Sequence, residues 1–210
     1  MTKARIALLV VLGIGIVSVV GFVVAKQSSS TSIVGRWRSL ETSKGGIGAM
    51  YQFHSDGIAD FSLGAVVEAQ WRIEDNQLVL PPDTVGGAEQ KSTLKWHGDN
   101  NLNLADGSPG GTELTRVGVR ADERNPIVGE WILKQEMAGS SLEAHWLFYR
   151  GGKSLFLMPF KTQHGSYRVS GSVLHFEDRS SKNDYKFELT DDTLTLYEPD
   201  GGHVSRYARY

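Results

Sequence analysis

The chain contains no cysteine. Disulfides, thiolate nucleophiles, thiolate zinc sites and a lipid anchor carried on cysteine are therefore excluded. A dominant charge is missing too: 22 Lys and Arg stand against 24 Asp and Glu, a formal net charge of −2. Such a balance argues against a nucleic-acid binder with a broad basic face, and no nucleic acid is expected as a partner. Beyond residue 32 there is no amphipathic helical stripe longer than about two turns. Gly46, Gly48, Gly86 and Gly87 would interrupt any such helix.

Catalytic signatures are equally scarce. The six histidines, His54, His97, His145, His164, His175 and His203, form no H-x-H, H-x-x-H or H-E-x-x-H. No metal site and no cofactor are expected. There is no G-x-S-x-G, and Gly139-Ser140-Ser141 has no identifiable His or Asp partner. The stretches Gly45–Gly48 and Gly107–Gly111 lack the Lys-Ser/Thr of a phosphate loop and read as hairpin loops. The glutamates lie mostly on alternating runs and the aspartates in turns, with no acid pair that sequence alone can place across a cleft. No enzyme is expected.

One long apolar run is present. Ile6–Ala25 carries no charge and a single polar residue, Ser18, between Lys3/Arg5 and Lys26. Twenty helical residues span about 30 Å, a bilayer's hydrocarbon thickness. Residues 1–26 are expected to form a transmembrane signal anchor. The basic flank places the N-terminus in the cytoplasm and residues 27–210 outside it. The alternative is a cleaved signal peptide ending near Val23-Val24-Ala25, leaving a secreted protein. Residues 27–32 (QSSSTS) form a polar tether.

The remainder repeats itself. Ile33-Val34-Gly35-Arg36-Trp37 returns ninety-four positions later as Ile127-Val128-Gly129-Glu130-Trp131. Phe53 and Gly57 align with Phe148 and Gly152. Gln70-Trp71-Arg72-Ile73 aligns with Ser166-Tyr167-Arg168-Val169, and Asp99–Leu104 with Asp191–Leu196. Two copies of one unit are expected at 33–118 and 127–210, joined by a linker at 119–126 (VRADERNP). Runs such as Tyr185-Lys186-Phe187-Glu188-Leu189 alternate in polarity, and Asp-Gly, Asp-Asn and Gly-Gly pairs separate them. A period of two with frequent turns predicts half-buried antiparallel strands. The expected fold is all-β: two tandem small antiparallel meander barrels of about eight short strands each, behind one transmembrane helix.

Gly-x-Trp opening an antiparallel meander resembles the lipocalin pattern, and most closely the short bacterial lipocalin-like (calycin-type) domains. An aromatic followed by an Asp-Gly hairpin, an aromatic–Arg–Ile/Val strand and an Asp-x-Leu-x-Leu strand complete the outline, each in two copies. The lipocalin Thr-Asp-Tyr motif and a C-terminal helix are absent. The resemblance implies that an Arg from the last strand packs over the first-strand Trp as a barrel floor. Within each repeat this pairs Trp37 with Arg116 and Trp131 with Arg209, as cation–π contacts. Trp71, Trp96, Trp146 and Tyr167 are the candidate ligand-contacting aromatics; the competing expectation is that they merely fill small barrels. The expected function is non-enzymatic binding of a small apolar ligand or an envelope partner protein. The alternatives are a structural or assembly module with filled barrels, and an exported enzyme with a site between the repeats.

Overall fold

Alternating runs bounded by turn pairs become strands throughout. The structure, a computed structural model, describes residues 32–82, 87–120, 122–137 and 139–210. The apolar run Ile6–Ala25 lies outside the described residues, as does nearly all of the tether. Among the described residues there is no α-helix, and none long and apolar enough to cross a membrane.

The strands are β1 (Gly35–Ser39), β2 (Ile47–Phe53), β3 (Ile58–Gln70), β4 (Arg72–Glu74), β5 (Gln77–Leu80), β6 (Gln90–Trp96), β7 (Asn101–Ala105) and β8 (Thr112–Val117). They continue as β9 (Gly129–Met137), β10 (Ser140–Phe148), β11 (Lys153–Ser170), β12 (Val173–Asp178), β13 (Lys182–Leu189), β14 (Thr193–Tyr197) and β15 (Val204–Arg209). All their pairings are antiparallel. Asp75 and Asn76 turn β4 into β5 with φ of 47° and 62°, the left-handed pair that a tight hairpin requires.

Two strands are far longer than the rest. β3 has 13 residues and β11 has 18, and they pair with each other from Ile58↔Ser166 to Gln70↔Lys153. This ribbon belongs to two rings of strands, the first closed by its ladders and the second completed only by the chain passing from β3 into β4. Ring one runs β1, β2, the first half of β3, the second half of β11, then β12 to β15, and closes where β15 pairs with β1. Ring two runs from the second half of β3 through β4 and on to β10 and the first half of β11, which pairs back onto β3. Closure of ring one leaves its strands few free edges, whereas β4 ends the sheet in ring two.

The rings therefore do not coincide with the repeats 33–118 and 127–210. Ring two is one uninterrupted stretch, about residues 64–158, and ring one is assembled from the segments on either side of it. The segment 119–126 falls in sequence between β8 and β9, which pair directly through Thr115↔Ile132, Arg116↔Trp131 and Val117↔Glu130. Asp122 ties this loop down, accepting from the backbone N–H of Arg124 and Asn125 and from Arg150 Nε at 2.7 Å. The physical reason is strand length: β3 and β11 overrun one barrel height and carry the chain into the neighbouring ring.

Each ring has its own core. Trp37, Tyr51, Phe53, Ala59, Leu174, Phe176, Leu194, Leu196 and Tyr207 fill ring one. Trp71, Leu78, Leu102, Leu114, Trp131, Leu133 and Phe148 anchor the core of ring two. Alternation sends the intervening side chains outward. Met50, Val66, Leu147, Leu155 and Leu157 form a third cluster with Tyr210 packed against it, a seam between the rings. The junction is marked by a register shift in β11 between Pro159 and Lys161, opposite Gly64. A Cβ on Gly64 would overlap the Met158 carbonyl and the Pro159 backbone, so the bulge needs glycine across from it.

Candidate functional site

An arginine lies over a buried tryptophan at two places in the sheet. The Arg209 guanidinium lies over the Trp37 ring at 4.1 Å, and Arg116 over Trp131 at 4.1 Å. The partners are thus exchanged relative to the pairing expected within each repeat, because the last strand of each copy closes against the first strand of the other. Both sites share one design. Trp37 Nε1 donates to the Ile33 carbonyl at 2.8 Å, and Trp131 Nε1 to that of Ile127 at 2.7 Å. Arg209 donates to the carbonyls of Asp191, Val34 and Ser32, and Arg116 to those of Asp99, Val128 and Pro126. Each indole is fully buried, and each guanidinium spends its donors on backbone carbonyls. All four residues are thus engaged in ring contacts and backbone hydrogen bonds.

Of the four candidate aromatics, two come together. Trp71 and Trp96 line one cleft of about 500 Å³ below ring two, with Ile73, Leu94 and Ile127 as further apolar wall and Asn125 at its edge. Trp71 is buried edge-on to Phe148 at 5.5 Å and donates Nε1 to the Lys153 carbonyl at 2.7 Å, which fixes its plane. Trp96 is only partly buried and packs 5.9 Å from Trp131. Trp146 is elsewhere, against Phe148 and Phe156 inside ring two. Tyr167 belongs to ring one, edge-on to Phe53 at 4.9 Å with its hydroxyl on the His54 carbonyl. Trp146 and Tyr167 are packing residues. Their rings and those of Tyr51, Phe61 and Phe176 occupy the ring interiors where a lipocalin-type lumen would lie.

The seam holds a polar network that strand alternation alone does not reveal. Arg36 donates through both Nη atoms to Glu130, at 2.6 and 2.8 Å, and its guanidinium lies 4.9 Å from the Tyr210 ring. His145 Nδ1 sits 2.8 Å from Glu130 Oε1. Burial would raise the Glu130 pKa; the bonds from His145 and Arg36 outweigh burial and hold the carboxyl down at about 2. Burial pushes the Tyr210 hydroxyl up to about 12. Further along, His54 Nε2 and His164 Nδ1 lie 3.1 and 2.6 Å from the two oxygens of Asp60. Against the opposing effect of burial, these two bonds lower the Asp60 pKa. Asp60 and His145 share a small cleft of about 170 Å³. Among the described residues no group of His, Asp and Glu is arranged to hold a metal ion.

One signal for the network was available in the repeat. Arg36 and Glu130 occupy equivalent positions in Gly-Arg-Trp and Gly-Glu-Trp, and opposite charges at matched positions are what a pair across a pseudo-twofold axis needs. No protein-family model matches the chain, and no curated protein or solved structure matches it at a significant level.

Proposed function

We propose that the chain is a membrane-tethered, extracytoplasmic and non-enzymatic binding protein built from two lipocalin-like barrels, and that its ligand is a small apolar molecule. The observation that carries this reading is the Trp71–Trp96 cleft. Its volume of about 500 Å³ lies within the range of small-molecule sites, and the aromatic and aliphatic wall of Trp71, Trp96, Ile73, Leu94 and Ile127 is shared with the polar side chains of Arg72, Asn76, Arg124 and Asn125. The bound molecule sits outside the barrels, because side chains occupy their interiors. Trp71 is held by its hydrogen bond and forms a fixed wall; Trp96, less buried, is the face that a ligand covers.

A second reading, an envelope protein as partner, draws on a different surface. Ile47, Leu63 and Val67 share one face of the sheet near the middle of the long ribbon, and all three are exposed. Native mass spectrometry of the chain purified from its own envelope separates the two. The expected result is a small co-purifying mass that disappears with Trp96→Ala while survival of the fold is confirmed by its melting curve. A wild-type chain carrying no small mass but accompanied by another protein would favour the second reading.

A further inference from the structure

A second recess lies at the seam, on the side of ring two where β11 begins. It encloses about 710 Å³ between Arg38 on β1, Leu40 just after it, Glu68 on β3, and Tyr149 and Lys153 beside the β10–β11 turn, with Arg209 at its edge. Its lining is unlike the net-acidic chain around it: three basic side chains, Arg38, Lys153 and Arg209, stand with one acidic side chain, Glu68. Glu68 is largely exposed and engages only Arg38 Nη2. Arg209 spends its donors on carbonyl oxygens, so its charge has no counter-ion there. Among the described residues Lys153 makes no ion pair. Arg38 Nε is buried and has no hydrogen-bond acceptor. A buried donor left without an acceptor is costly, and an acceptor brought by a ligand would relieve it.

The duplication supplies an internal control. Arg38 corresponds to Ile132 in the second repeat, and Lys153 corresponds to Ile58 in the first. The fold thus accepts an aliphatic side chain at either position, and the two cations are not there to build a strand. Arg209, by contrast, corresponds to Arg116, and both floors use it. The cations peculiar to one copy meet at one recess. Leu40, half exposed, and Tyr149 add an apolar wall beside them.

We propose that this recess binds an amphiphilic anion: a phosphate or carboxylate head held between Arg38 and Lys153, with an apolar body along Leu40 and Tyr149. The site is separate from the Trp71–Trp96 cleft and does not rest on it. Head groups of this chemistry occur both on membrane lipids and on free metabolites.

The test titrates the full-length chain in a non-ionic detergent by calorimetry. The probes are hexyl phosphate, hexyltrimethylammonium and inorganic phosphate. Hexyl phosphate is expected to bind at one site, inorganic phosphate about tenfold more weakly, and the cation not at all. Lys153→Ala is expected to weaken hexyl phosphate about tenfold while leaving the ligand-free melting temperature unchanged. Lys153→Arg is expected to retain binding. Displacement by phosphatidylglycerol but not phosphatidylcholine in mixed micelles identifies a lipid as the source; displacement by neither identifies a free anion. No binding of hexyl phosphate, equal binding of the cation, equal binding of inorganic phosphate, or indifference to Lys153→Ala would overturn the proposal.

Discussion

At the scale of single residues, the pair Arg36–Glu130 is the most informative contact in the molecule. It is bidentate, half sheltered in the seam, and joins matched positions of two copies. Two like charges facing each other there would repel, whereas Arg36 and Glu130 attract. Its energetics have a defined pH window. Unfolded Glu130 takes up its proton near 4.5, whereas the folded carboxyl holds out to about 2. Its contribution is therefore complete above pH 4.5 and is lost as pH falls toward 2, and it amounts to roughly 3 kcal/mol at most, since solvent screening of a half-sheltered pair reduces it. Asp60, whose pKa is also lowered, acts with the same sign. Urea unfolding between pH 2 and 5 is expected to show a flatter acid limb in Glu130→Gln than in the wild-type chain; parallel limbs would remove Glu130 from the account. The repeated Gly-x-Trp singled out Trp37 and Trp131, each of which is fully buried beneath an arginine, Arg209 and Arg116 respectively. Their pairing was not legible in the sequence, because Arg116 and Arg209 are equivalent and either satisfies either indole.

At the scale of elements, β3 and β11 decide the architecture. Alternation and turn pairs made strands legible: β13 alternates in exposure along its full length, as its sequence does. Strand length was harder to read. β11 runs on through Pro159 and Gly165, residues that usually punctuate strands, because the bulge absorbs the proline and the close approach of β12 suits the glycine. Gly64 is the matching feature on β3. Gly64→Ala is expected to lower the melting temperature by roughly 3–10 °C, since a methyl driven into a packed backbone costs about 1–3 kcal/mol. Gly45→Ala, which meets nothing closer than the Ser43 hydroxyl at 3.8 Å, serves as the control and should leave the melt in place. Equal effects of the two substitutions would mean that the junction is not tightly packed.

At the scale of the whole molecule, each ring draws strands from both of the segments 33–118 and 127–210. Closure within a repeat and closure between repeats bury the same residue types, so nothing in the hydrophobic pattern distinguishes them. The cleft shared by Trp71 and Trp96 was equally hidden, since it depends on the β8–β9 loop folding beneath ring two. The exchange has a direct test. Severing the chain after Val119, which is 88% exposed, leaves fragments that each carry part of both rings. Co-expressed fragments 1–119 and 120–210 are expected to co-purify as a β-rich complex, and either fragment alone to lack a cooperative melt. Two independently folded fragments would restore the repeats as the folding units. The pairing of β15 with β1, where Tyr210 N–H reaches the Arg36 carbonyl, carries the same logic further. A permutant that runs directly from β15 into β1 and opens at Val119 would keep every ladder except that turn. It would make ring one the continuous stretch and ring two the interrupted one. Inside and outside, in the order of synthesis, are then interchangeable labels, and which cylinder a ribosome completes first becomes a choice of where the gene begins.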